Sequence, residues 1–147
     1  MQDLKIAKLR LKEGNLTLVI VKEGRVIFET KSQGVSGFLL AIENFGRGLA
    51  SSSVADKIVG AAAAMLCAYC KVVSVFAVTI SEEGMKVLEN NNIPYEFESR
   101  VPNILNHDRT DICPFEKLAA GSRDPKEAYD KLKSFSDSGG RGHGKNP

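Results

Sequence analysis

Residues 53–80 read SVADKIVGAAAAMLCAYCKVVSVFAVTI, and the fold class turns on this stretch. Over 54–70 the apolar residues Val54, Ile58, Ala61, Ala62, Met65, Leu66 and Tyr69 cover most of a helical circumference. A helix apolar on nearly all sides is sandwiched between other elements rather than laid on a surface. After Lys71, residues 72–80 form the strongest β-rich run in the chain. A central helix feeding a buried strand is the repeating unit of an α/β domain.

The flanking sequence extends that pattern. Residues 3–11 place Leu4, Ala7 and Leu11 on one face of an amphipathic helix closed by Gly14. Two β-rich runs, 16–21 and 25–28, flank a short turn ending in Gly24 and predict a hairpin. The first run is almost wholly apolar, so it is expected to be buried on both faces. Gly34-Val-Ser-Gly37 opens a helix over 38–45, ended by Gly46-Arg-Gly48. Beyond Ile80, residues 82–91 read as a helix stopped by Asn-Asn and Pro94, and 95–98 as a more exposed strand. Residues 114–120 and 124–135 read as short helices, each with Pro in its first turn. Together these predict a three-layer α-β-α sandwich with a mixed sheet and an N-terminal hairpin. The domain spans 1–135, and the Gly- and Ser-rich residues 136–147 are expected to form a mobile tail.

Composition narrows function. The chain has 147 residues, 43% hydrophobic and 26% charged, with a net charge of +2. That bias is too weak to imply a nucleic acid or an anionic membrane as partner. The absence of Trp leaves little base-stacking surface. The longest apolar run is too short to span a bilayer, and Met1-Gln-Asp-Leu-Lys5 has no secretory h-region. Three cysteines, an odd number, suit a reducing compartment, and the expected location is the cytoplasm.

Two local motifs carry a resemblance: Ser53-Val-Ala-Asp56-Lys57-Ile-Val-Gly60-Ala-Ala-Ala63, and Ile112-Cys113-Pro114-Phe-Glu116-Lys117-Leu118. In their order, and over the matching pattern of elements, the chain resembles the domain-of-unknown-function family 1893. It also resembles the cytidine-deaminase-like fold. The zinc deaminases need a His or Cys with a Glu at the start of the central helix, and Pro-Cys-x-x-Cys after the next strand. Here the predicted central helix opens on Asp56-Lys57, and Ser81-Glu-Glu-Gly84 follows Ile80. The resemblance therefore implies the fold and argues against zinc hydrolysis. No metal site and no cofactor is expected.

The candidate site residues each have a structural reading beside the functional one. Ser53 and Asp56 have the spacing of a capping box. Lys57 would oppose the helix dipole, which an anionic ligand would answer. The preceding Gly46-Arg47-Gly48-Leu-Ala-Ser51-Ser52-Ser53 offers glycines, hydroxyls and a cation. A helix start so equipped can bind phosphate or carboxylate. Arg47, Ser52, Ser53 and Lys57 are thus candidates to hold a small anionic or nucleotide-like metabolite. Cys67 and Cys70 lie near the end of the predicted helix, where the dipole disfavours a thiolate, and read as core. Cys113 stands at a predicted helix start, either as a structural cap or as a nucleophile with His107 or Asp56 as base. His143 falls in the predicted tail. Three functions follow: a small-molecule-binding domain, a thiol enzyme using Cys113, or a non-catalytic interaction module or homo-oligomer.

Overall fold

The computed structural model describes residues 2–106 and 108–138. Helix α1 (Gln2–Glu13) precedes a hairpin of β1 (Leu18–Lys22) and β2 (Arg25–Thr30). Glu23 and Gly24 both have positive φ, 52° and 79°, as a two-residue turn matching strand twist requires. Helix α2 (Ser36–Phe45) and a short 3-10 turn (Gly46–Leu49) lead into β3 (Ser53–Val59). Then come α3 (Ala61–Tyr69), β4 (Ser74–Ser81), α4 (Glu82–Asn90), β5 (Tyr95–Val101), α5 (Pro114–Ala120) and α6 (Pro125–Asp137).

The five strands lie in the order β2-β1-β3-β4-β5. β1 is antiparallel to β2 and β3, while β3, β4 and β5 are parallel. The predicted α/β class, mixed sheet and hairpin are all present, and β1 is buried along Leu18–Val21.

The 54–70 helix is corrected. Residues Ser53–Val59 form the middle strand of the sheet, and the helix begins only at Ala61. Val54, Ile58, Ala61 and Ala62 recur at helical spacing across the junction, so a short strand running into a helix reads as one helix. Val54, Ile58 and Val59 favour a strand, and Gly60 interrupts helix propagation. The sequence reading therefore missed one strand and merged it with α3. Helix α6 also runs two residues beyond the predicted domain end at Phe135. The rest of the predicted tail, 139–147, lies outside the described residues, as does His143.

Two clusters fill the space on either side of the sheet. One joins Leu4, Ala7 and Leu11 of α1 to Val19, Val21, Ala55 and Phe76. The larger one joins Leu18, Ile20, Val54, Val75 and Ala77 to α2, α3 and α4, with Ala119 and Leu132 from the C-terminal helices. Alternation shifts phase near the strand ends. Ala55 and Phe76 pack toward α1, yet Val59 and Ile80, four residues on, belong to the α3 cluster. Strict period-two alternation would keep each pair on one face. The shift turns Val59 and Ile80 inward under the helix starts and leaves Ile58 51% exposed. Among the described residues no helix is long and apolar enough to cross a membrane.

Helix α3 carries small residues where it is most enclosed. Ala61, Ala62, Ala63 and Ala64 are all 3% exposed or less. Ala64→Leu is expected to overpack this layer and cost about 1–3 kcal/mol. Urea unfolding should show a lower midpoint at unchanged m-value.

Candidate functional site

β3 and β4 end side by side, and α3 and α4 start there. In open parallel sheets ligands enter at this carboxyl edge. Ser81 caps α4, its Oγ accepting from the Gly84 amide at 3.0 Å. The start of α3 has no capping side chain of its own, since Gly60 stands at that position. Its orphan amides are met from 55 residues away. The Ala61 amide donates to Glu116 Oε1 at 2.7 Å and the Ala62 amide to Oε2 at 3.0 Å. Gly60 permits the approach, because a Cβ there would lie 2.1 Å from Glu116 Oε1.

Glu116 is 9% exposed. Burial raises its carboxyl above the usual range. The two amides pull it down, and the nearby charge of Glu83 adds to the rise. Beside it lies a cavity of about 190 Å³, lined by Ala61, Ser81, Glu83, Asn103, Ile104, Ile112, Glu116 and Lys117 among others. Lys117 is tied to Asp111, Nζ to Oδ2 at 2.6 Å. The cavity thus offers two carboxylates, a buried hydroxyl, an amide and the Asp111-paired Lys117 in a wall completed by apolar residues.

The residues singled out from the sequence lie elsewhere. Ser52 and Ser53 are buried strand-entry residues. Ser52 Oγ donates to the Leu49 carbonyl at 2.6 Å, and the Ser53 and Ser74 hydroxyls meet at 2.6 Å. Lys57 is exposed on β3, and Arg47 is exposed in the 3-10 turn. These four do not surround a helix start, because the helix starts at Ala61. The capping box of Ser53 and Asp56 is corrected for the same reason. The true start, Gly60-Ala-Ala-Ala63, also contains no His or Cys.

Asp56 stands directly opposite Leu18 on β1 and Ala77 on β4, both in the α3-side cluster. Burial pushes its carboxyl up to about 7, against weaker support from the Ile58 and Lys57 amides. The Cys67 thiol is pushed well up by burial, then by Asp56 and Cys70. The Cys70 thiol rises to about 12 through burial. Both behave as core cysteines.

Cys113 does precede α5, with Pro114 at its first position, but its side chain makes no capping hydrogen bond. Burial raises its thiol, outweighing the amides of Phe115 and Glu116, and the Glu116 charge raises it further. This is the opposite of the activation expected at a helix start. Neither Cys113 nor Asp56 lines the cavity. His107, the other candidate base, lies outside the described residues. Among the described residues no three His, Cys, Asp or Glu side chains cluster as metal ligands.

Glu116, Ser81 and Glu83 were not picked out as site residues from the sequence. A signal existed for the first. Gly60 followed by four alanines is a helix start with nothing to cap it, and such a start implies a partner from a distant segment. Glu116, at the third position of α5, instead reads as that helix's own capping glutamate.

Two substitutions probe these groups. Gly60→Ala should expel the Glu116 carboxylate and leave two buried amides unmet, at a cost of about 2–4 kcal/mol in urea unfolding. For Asp56 the sign runs the other way. Its carboxyl holds a proton more tightly when folded, so the native state loses stability as pH rises from the usual 3.8 toward about 7. Asp56→Asn should therefore be more stable than the parent above pH 7. Asp56 is only half-buried, so a gain of about 1–3 kcal/mol is expected. The difference should vanish near pH 4 in a pH series of urea midpoints.

The chain is 29% identical to a DUF1893 family protein from Thermotoga maritima, covering 91% of this chain and 90% of that one with a TM-score of 0.82. A dCMP deaminase from the cyanophage S-TIM5 matches 65% of this chain and 93% of its own at 14% identity and a TM-score of 0.48. A diaminohydroxyphosphoribosylaminopyrimidine deaminase/reductase from Thermotoga maritima matches 65% of this chain and 35% of its own, at 16% identity and 0.49. No curated protein matches the chain. The family model described as Domain of unknown function (DUF1893) matches residues 6–136, and the chain belongs to that family.

Proposed function

We propose that the protein is a small-molecule-binding domain whose site is the cavity at the carboxyl ends of β3, β4 and β5. The observation that carries this reading is Glu116. A carboxylate is brought nine-tenths out of water at a cost, held by two amides, and set in the wall of a cavity. An ionisable group so placed is a frequent mark of a functional site. The volume of about 190 Å³ is below the roughly 300–1,000 Å³ of drug-sized pockets, which favours a compact ligand over a whole nucleotide.

The expected anion at the start of the central helix loses its main support here. The α3 amides that would hold an anion already hold Glu116. A ligand that donates hydrogen bonds suits the remaining lone pairs better than one that only accepts them.

The test is a fragment screen on the full chain followed by amide proton–nitrogen correlation spectra. Binding in the cavity is expected to shift Ala61, Ala62, Ser81 and Gly84 together, saturably. Shifts confined to Arg47, Ser52 and Lys57, or no saturable shift with any compound, would overturn the assignment.

A further inference from the structure

The cavity holds two carboxylates and no uncommitted cation among the described residues that line it. Glu83 opens the first turn of α4 and Glu116 crosses from α5. The charge of Glu83 reaches Glu116. Lys117, the cation on the wall, is engaged by Asp111 at 2.6 Å. Glu83 is half exposed and lies 3.6 Å from Lys86 in a surface pair that holds it only weakly, whereas Glu116 is buried beside apolar Ile104 and Ile112.

Independent of the acids, Ser81 is 1% exposed and lines the same space. Its Oγ accepts from Gly84, but its hydroxyl proton meets no acceptor among the described residues. Buried hydroxyls are ordinarily satisfied as donors too. Each Glu116 oxygen likewise receives one amide and retains a lone pair.

We infer that the cavity takes a small organic cation, an ammonium, amidinium or guanidinium, whose N–H groups meet Glu83 and Glu116 while an acceptor on the same ligand takes the Ser81 hydroxyl. The inference rests on the cavity being the ligand site, as proposed above. An anion would face both carboxylates and find the α3 amides occupied. A neutral amide would leave the buried charge of Glu116 uncompensated. A cation compensates it, and its hydrogen bonds to carboxylates are the stronger, charge-assisted kind.

The experiment titrates the full chain at pH 7.5 and matched ionic strength with ethanolammonium, 2-hydroxyethylguanidinium and 2-hydroxyacetamidinium, each carrying a hydroxyl acceptor, beside acetamide and acetate. The readout is the amide shifts of Ala61, Ala62 and Gly84. At least one cation should saturate, and acetate should produce no shift. Acetamide should bind about tenfold more weakly than that cation, as loss of charge assistance implies. Glu83→Gln alters a side chain that is half exposed at the surface and should weaken cation binding by a similar factor of about ten while the spectrum stays folded. Equal or tighter binding of acetamide or acetate, no effect of Glu83→Gln, or silence of all three cations would overturn the inference. Were neutral or anionic compounds to shift the same amides while cations did not, the ligand class would fall and the small-molecule site would stand. Silence here and in the fragment screen would remove both.

Discussion

The pairing of Glu116 with the Ala61 and Ala62 amides is the constraint on which the rest of the molecule depends. Helix α3 is the hub. It packs on the sheet, on α4 and on both C-terminal helices, and its first four residues are almost without solvent contact. The first amides of a helix have no intrahelical partner, and in a buried helix water cannot supply one. Glu116 supplies two acceptors with a negative charge at the positive end of the helix dipole. The same contact ties α5 to the centre of the domain, since the carboxylate can reach α3 only if α5 lies against it. A local hydrogen-bonding requirement thus fixes a long-range packing arrangement.

That solution has a cost in charge burial. Glu116 loses water on nearly all sides, which raises its carboxyl, and two amides recover only part of the loss. A hydroxyl-bearing residue at position 60 would have capped α3 locally, with no buried acid. The chain instead carries Gly60, whose missing Cβ is the space the carboxylate occupies. Gly84 repeats the device at α4. A Cβ there would stand 2.8 Å from the Val59 carbonyl oxygen. Two glycines therefore bring two helix starts and one carboxylate close together at the carboxyl edge of the sheet.

Much of the architecture was legible in the residues. The Glu23-Gly24 turn between β-rich runs identified the hairpin. Lys71 and the run into Ile80 identified β4. Pro114 and Pro125 marked helix starts, and Asp124 caps α6 by accepting from the Glu127 amide. The middle strand was not legible, because Val54 and Ile58 continue the helical spacing of Ala61, Ala62 and Met65, and what decides between helix and strand is pairing with β1 and β4. That single merger placed the helix start at Val54, seven residues before Ala61, and put Asp56 and Lys57 in its first turn. The residues chosen were chemically apt for a helix start; the helix start was elsewhere. Cys113 was located correctly at a helix start, but its reactivity was not legible, since burial outweighs the dipole and burial belongs to the fold.

Asp56 and Glu116 show how context separates two acids of similar chemistry. Both are raised by burial. Asp56 leans on amides from its own strand and does not line the cavity, so its charge is a liability to the fold. Glu116 leans on the start of another helix and faces a cavity that a second carboxylate also enters. Unfavourable burial of an acid inside a packed face has no evident return. Beside an open cavity, the same unfavourable energy is available to any ligand that relieves it, and the proposed cation would do so without first having to break the α3 cap.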